Sequence, residues 1–219
     1  IKKRFLFDIL LIAIVGYFFC IWKIDHSSYA DGDQTIHAKV QQEMYQSGNL
    51  LTPTRYGRPY FNKPPFKIWI SMVPLKILGE STFSHRITDG LIGVLILLSI
   101  FSISYYLFQS RLLSHTAVLT QLGISSFLSG HGVRESVQDG MLFLLTNLAI
   151  FCALKTININ NEKPKTLLWS ILGGLCLGFA FLTKTAAAFI PLAIISVSIL
   201  FFNNTLEIIK NRRREIIIV

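Results

Sequence analysis

Six charged side chains stand out by position: Asp33, Lys63, Arg86, Arg134, Asp139 and Lys184. Some lie in the polar stretch Asp31–Arg86, which has apolar sequence on both sides; the others interrupt or flank apolar runs. A carboxylate can take a proton from a hydroxyl, and lysine and arginine can hold a phosphate. Two acids with several cations therefore suit a negatively charged substrate held at a membrane, and lipid phosphate is the candidate.

Each residue also has a plainer reading. Asp33 opens a helical pattern, where an acid is favoured as a cap or by the helix dipole. Asp31 can take the cap instead, which would free Asp33. With His37 one turn further on, Asp33 also forms a two-ligand metal pattern, so a divalent metal stays open. Lys63 precedes Pro64 and Pro65 and leaves a rigid turn, either to snorkel at an interface or to meet a phosphate. Arg86 serves as an anchor at the mouth of a span or as a phosphate ligand. Arg134 and Asp139 flank a turn, with Asp139 either capping the next helix or joining a site. Lys184 interrupts the apolar segment Gly173–Pro191, for function or for a structural pair with Asp139.

The frame that must position them is apolar. Of 219 residues, 52% are hydrophobic and only 15% are charged, against about 25% charged in soluble domains. Apolar runs of membrane-spanning length point to an all-α, polytopic bundle. The expected spans are Phe5–Ile24, Ile87–Phe108, His115–Ser129, Met141–Leu154, Leu167–Thr183 and Ala186–Phe202, in one membrane domain covering residues 1–219 with a long loop at 25–86. A cleaved signal peptide is the alternative for the first run, but no A-x-A-like site follows Trp22. Asp8 in that run lies near the basic end, within reach of the interface. In the loop, Asp33–Ser47 reads as a helix stopped by Gly48, and Asn49–Pro65 as irregular. Phe66–Leu78 reads as an interfacial helix with Phe66, Trp69, Ile70, Val73 and Ile77 on one face and a kink at Pro74.

Lysine and arginine in the short loops set an orientation. Lys2, Lys3, Arg4, Arg111, Lys155, Lys163, Lys165, Lys210, Arg212, Arg213 and Arg214 fall on one side, expected to be cytoplasmic with the amino terminus. Outside the long loop, only Arg134 and Lys184 fall on the other. The long loop, the Gly130–Gly140 turn and Lys184 would then share the outer face. The net charge of +9 sits mainly at span ends, so anchoring explains it and nucleic acid is not an expected partner. Cys20, Cys152 and Cys176 are odd in number and lie in apolar runs, so no disulfide framework is expected. Gly173, Gly174 and Gly178 read as helix-packing residues, and the Asn203-Asn204-Thr205 sequon falls on the cytoplasmic side. The chain starts without Met and ends in Ile216–Val219, which reads as the opening of a further span and hence as part of a longer chain.

A spaced set of short motifs resembles a known family. The set is Asp33-Gln34-x-x-His37-Ala38, Glu43-Met44, Gly48, Pro53, Tyr60-Phe61-x-Lys63-Pro64-Pro65 and Arg86. Arg134 with Asp139, and Gly174-x-x-x-Gly178 leading to Leu182-Thr183-Lys184, continue it. It is similar to the dolichyl-phosphate-mannose protein mannosyltransferase-like family, including aminoarabinose transferases that modify lipid A, all of GT-C type. Two positions depart: Gln34 stands for the family's Glu and His37 for its Tyr. The resemblance implies transfer of a sugar from a polyprenyl-phosphate donor to a protein or lipid acceptor on the outer face, with inversion. It implies Asp33 as general base, Asp139 as a second acid, and Lys63, Arg86 and Lys184 on the lipid phosphate, with Arg134 and Tyr60 beside them. A lipid donor needs no nucleotide loop, and the sequence has none. A transporter or flippase of charged lipid or ions, and a non-catalytic relative, are the competing expectations.

Overall fold

The computed structural model describes residues 2–26, 32–157 and 163–201. The chain divides into two compact units, Ile1–Met141 and Leu142–Val219. Asp31, the Asn203 sequon, the basic cluster Lys210–Arg214 and the closing Ile216–Val219 lie outside the described residues.

In the first unit, α1 (Lys2–Gly16) runs into a π-helical turn at Tyr17–Ile21. Asp8 is paired within the protein. It is fully buried and receives Arg111 Nε at 2.7 Å and Nη2 at 2.5 Å, with His115 Nε2 at 3.1 Å. An unpaired carboxylate inside an apolar helix would be costly, and two partners one helical turn apart remove that cost.

The long loop is built, not slack. Helix α2 (Asp33–Ser47) starts after Gly32 and stops at Gly48, whose φ of 68° gives the left-handed cap that glycine adopts freely. The following stretch, expected to be irregular, contains a miniature hairpin. Strands β1 (Thr54–Arg55) and β2 (Arg58–Pro59) pair antiparallel across Tyr56-Gly57. Both turn residues have positive φ, 53° and 72°, the geometry of a two-residue type I′ turn. Glu43 pins it, accepting from Thr54 Oγ1 at 2.8 Å, Tyr56 N at 2.6 Å and Gly57 N at 3.1 Å. Those bonds outweigh burial and hold the Glu43 carboxyl below its usual range.

Helix α3 (Phe66–Leu78) starts at Pro65 and contains Pro74, as its sequence requires. Its apolar face carries Ile70, Val73 and Ile77 outward, whereas Lys67, Ile68, Ser71, Met72 and Leu75 turn inward. Val40 and Met44 of α2, Tyr60 of the loop and Ile68, Met72 and Leu75 of α3 form one buried cluster.

Helix α4 (Thr82–Phe108) is capped by Ser81, which accepts from Ser84 N. It begins five residues before the expected Ile87, so Arg86 lies inside the helix rather than at its mouth. Glycines let two neighbours close on it. A Cβ at Gly90 would fall 2.9 Å from the Cys20 carbonyl oxygen, and one at Gly93 would fall 2.7 Å from Val133 Cγ2.

The expected span His115–Ser129 is not one helix. It is α5 (Arg111–Gly123) and a short α6 (Ser125–Leu128), broken at Ile124, whose ψ of 110° is extended. Thirteen residues reach about 20 Å, short of a hydrocarbon core of about 30 Å. The segment still runs beside the first apolar run from the middle of α1 into the π-helical turn. Arg111 binds Asp8 and Arg134 Nη1 reaches the carbonyl of Phe19, which lies eleven residues past Asp8, about 16 Å at helical rise. Helix α7 (Asp139–Ile157) then opens in the first unit.

The second unit holds the remainder of α7 with α8 (Lys163–Lys184), a 3-10 turn at Thr185–Ala188 and α9 (Phe189–Phe201). Phe151 meets Trp169 edge-on at 6.0 Å. A Cβ at Gly178 would meet nothing within 4 Å, so Gly178 is not a close-packing position. Among the described residues, four helical runs are long and apolar enough to cross a membrane: Lys3–Ile21, Thr82–Phe108, Asp139–Thr156 and Thr166–Val197. The last takes in the expected Leu167–Thr183 and most of Ala186–Phe202. Large hydrophobics on these runs face outward, among them Leu6, Phe7, Phe18, Leu91 and Leu95, as expected of a membrane protein.

Candidate functional site

Asp33 and Asp139 each occupy the first residue of a helix, α2 and α7, where the exposed N–H groups favour a carboxylate. His131 stands between them. Its Nδ1 lies 4.0 Å from Asp33 Oδ2 and 3.7 Å from Asp139 Oδ2. The two acids, 106 positions apart in sequence, therefore share one cluster, and all three side chains are partly open to solvent. The turn that presents His131 is specialised. His131 has φ of 75° and follows Gly130 with φ of 64°. Glu135 accepts from the backbone N–H of both, at 2.8 Å each. At Gly132 a Cβ would lie 2.4 Å from the Leu128 carbonyl carbon, so only glycine fits.

His37, one turn along α2 from Asp33, is buried, and its Nδ1 has no hydrogen-bond partner among the described residues. Burial first, then the Lys67 ammonium, pushes its pKa down to about 4; Asp33 and Asp139 oppose this and Lys63 adds to it. One imidazole thus feels both acids and both lysines. Tyr60 is buried beside α2, and burial with the Asp33 charge raises its phenol above the ordinary value. Lys63 is half-buried, and among the described residues no hydrogen bond or ion pair engages its ammonium.

Beneath the acids lies a buried polar network. Lys67 Nζ donates to Asp89 Oδ2 at 2.8 Å and to Ser136 Oγ at 3.3 Å, and both charged side chains are about 1% exposed. Gln41 Nε2 donates to Ser136 Oγ at 3.0 Å, and Gln41 Oε1 lies 3.0 Å from His85 Nδ1. The network ties α2, α3, α4 and the His131 turn together.

Two expected phosphate ligands are engaged elsewhere. Arg86 is buried, donating Nη1 to the Ile24 carbonyl at 3.0 Å and Nη2 to Gln34 Oε1 at 3.1 Å. Arg134 donates to the carbonyls of Phe19, Trp22 and Lys23 at 2.8–3.0 Å, closing the carboxyl end of the first apolar run. Lys184 ends α8 in the second unit. Of the expected set, the structure therefore brings Asp33 and Asp139 into one cluster, with Tyr60 and Lys63 electrostatically beside it. Sequence reading missed His131, Lys67 and Asp89. Asp89 carried a usable signal, a carboxylate inside an apolar run, and Lys67 is its cation. His131 carried only its place between two glycines. Among the described residues, no group of three His, Cys, Asp or Glu side chains is placed to hold a metal ion.

Comparison with known proteins extends this picture. The family model described as dolichyl-phosphate-mannose-protein mannosyltransferase matches residues 62–218, a stretch that includes Lys63, Arg86, Arg134, Asp139 and Lys184. The chain is 32% identical over 162 residues to the undecaprenyl phosphate-alpha-4-amino-4-deoxy-L-arabinose arabinosyl transferase 2 of Proteus mirabilis, covering 74% of this chain and 28% of that one. It is 27% identical over 195 residues to the corresponding transferase of Aeromonas hydrophila, covering 88% and 35%. Its fold is similar to the crystal structure of ArnT from Cupriavidus metallidurans bound to undecaprenyl phosphate, with a TM-score of 0.77 at 17% identity, covering 100% of this chain and 40% of that one. The chain thus spans about a third of the length of the curated relatives it matches.

Proposed function

The chain belongs to the dolichyl-phosphate-mannose-protein mannosyltransferase family, and from that premise we propose that it works in transfer of a sugar from a polyprenyl-phosphate donor. The reading is a multi-pass membrane glycosyltransferase with its amino terminus in the cytoplasm and its long loop on the outer face. The curated relatives carry undecaprenyl phosphate and aminoarabinose in their names, which favours a pentosyl donor of that kind. A lipid acceptor is favoured over a protein one.

The observation that carries the proposal is the convergence of Asp33 and Asp139 on His131, from α2, α7 and the turn between α6 and α7. Asp33 is the general base. It takes the acceptor's proton as the acceptor oxygen bonds to the anomeric carbon, and the bond from that carbon to the phosphate oxygen breaks with its electron pair leaving on the phosphate. Attack opposite the leaving phosphate inverts the anomeric centre. Lys63, whose ammonium has no partner among the described residues, holds the departing phosphate, with Tyr60 next to it. Asp139 orients the acceptor. Arg86 and Arg134 act at one remove: Arg86 ties the Ile24 carbonyl to the Gln34 side chain of α2, and Arg134 ties its own turn to the end of the first apolar run.

The test is transfer from undecaprenyl-phosphate aminoarabinose to lipid A by the complete polypeptide in liposomes. Asp33→Asn should abolish transfer while expression and membrane insertion remain intact. Full activity in that variant removes Asp33 from the mechanism. Movement of donor lipid across the bilayer without any acceptor would instead support a transporter.

A further inference from the structure

Proceeding from the proposed transfer reaction, we propose that His131 is a positioning residue that holds the Asp33 and Asp139 carboxylates in register for attack. Three independent features of the structure converge on it.

The first is the shared atom. Nδ1 faces both carboxylates, at 4.0 Å and 3.7 Å, so one ring spans the two acids. Both distances exceed a hydrogen bond, which leaves room for either contact to tighten when substrate arrives. The second is the backbone. A β-carbon-bearing residue at φ of 75° is unfavourable, and such positions persist where the surroundings enforce them. Here Glu135 enforces it by binding the N–H groups of Gly130 and His131, and Gly132 leaves no space for relaxation. The third is the anchoring of the turn. Ser136 is tied to Gln41 of α2 and Lys67 of α3, so the segment that carries His131 is fixed to the helix that carries Asp33. A histidine wanted only for solubility needs none of this.

Two carboxylates brought together repel, and without a group between them they turn apart. With His131 in place, Asp33 stays aimed at the acceptor hydroxyl while Asp139 is held to the same ring. The effect of losing it falls on the chemical step and not on donor affinity, because neither acid is asked to bind the donor lipid.

Two variants test this in the complete polypeptide, in liposomes supplied with undecaprenyl-phosphate aminoarabinose and lipid A. His131→Asn keeps a residue that tolerates positive φ and shortens the reach to the acids. His131→Gly relaxes the backbone and opens a gap the size of an imidazole. In both, kcat should fall about 100-fold, as for a misplaced catalytic group, with KM for the donor unchanged. Added imidazole should restore much of the rate to His131→Gly and none to Asp33→Asn. Wild-type rates in His131→Gly overturn the inference. So does a loss that imidazole fails to recover, which would assign His131 to the folding of its turn. If the unaltered protein itself transfers nothing, the proposed function falls first and this inference with it; an active parent with unaffected variants sinks this inference alone.

Discussion

The buried pair Lys67–Asp89 gives the sharpest test of how the site is supported. At 2.8 Å the two charges attract by roughly 6 kcal/mol at an effective dielectric constant of ~20. Taking two ions out of water costs a comparable amount, so the pair itself adds little net stability. Breaking it is another matter. With both side chains about 1% exposed, either single truncation leaves a buried charge without its counterion. Lys67→Met and Asp89→Leu should each cost about 3–5 kcal/mol, and the double variant should recover most of that loss. At roughly 2–4 °C per kcal/mol for a chain of this size, each single variant should melt about 6–20 °C lower, with the double variant close to the parent. The assay is a double-mutant cycle of thermal unfolding in detergent. Singles that lose less than about 1 kcal/mol, or losses that simply add, would refute a dry ion pair at this position.

Three further outcomes follow from the same geometry. The His37 pKa is lowered from 6.5 to about 4, so between those values the unfolded chain binds a proton that the folded chain refuses. Stability from this residue is then complete above pH 6.5 and declines as pH falls toward 4, at up to about 1.4 kcal/mol per pH unit; His37→Gln should flatten that slope in melting curves. Arg134→Ala should lower stability by about 2 kcal/mol through the lost charge-assisted bonds to three carbonyls. It should leave KM for the lipid donor unchanged, whereas Lys63→Ala raises it, and parallel kinetics separate the two. Gln34→Glu places a carboxylate on the Arg86 guanidinium now 3.1 Å from Gln34 Oε1. The charged bond is roughly twice as strong as the present one, so the melting point should rise, and a fall would show that burial of the new charge dominates.

Much of the architecture was legible because local signals agreed with the tertiary fold. Gly48 and Gly79 stop α2 and α3 with positive φ, 68° and 76°, and Pro65 starts α3. The alternation of faces on α3 was legible too, but its meaning was not. An apolar stripe of Ile70, Val73 and Ile77 shows which side meets an apolar medium, and says nothing about a lysine on the opposite side finding Asp89. The pairing of Asp8 with Arg111 and His115 lies beyond sequence spacing, since the partners are more than 100 positions apart. The family resemblance places Arg86 on the phosphate with Arg134 beside it. Their carbonyl partners are invisible to that reasoning, because any backbone can accept from arginine. The Asp33–Asp139 convergence was expected from loop parity. His131 was not, since a histidine between glycines signals a turn and nothing about what the turn faces.

The absence of side chains at Gly90 and Gly93 gives an apolar helix unexpected leverage over the Asp33–His131–Asp139 cluster. A methyl at 93 would stand 2.7 Å from Val133, two residues from His131. Alanine there would act as a wedge, driving the turn off α4 and swinging the imidazole out of line although no polar atom had changed. Hydropathy would score such a lesion as harmless. A screen for inactive but well-inserted variants should therefore recover changes deep in α4 alongside those at the acids.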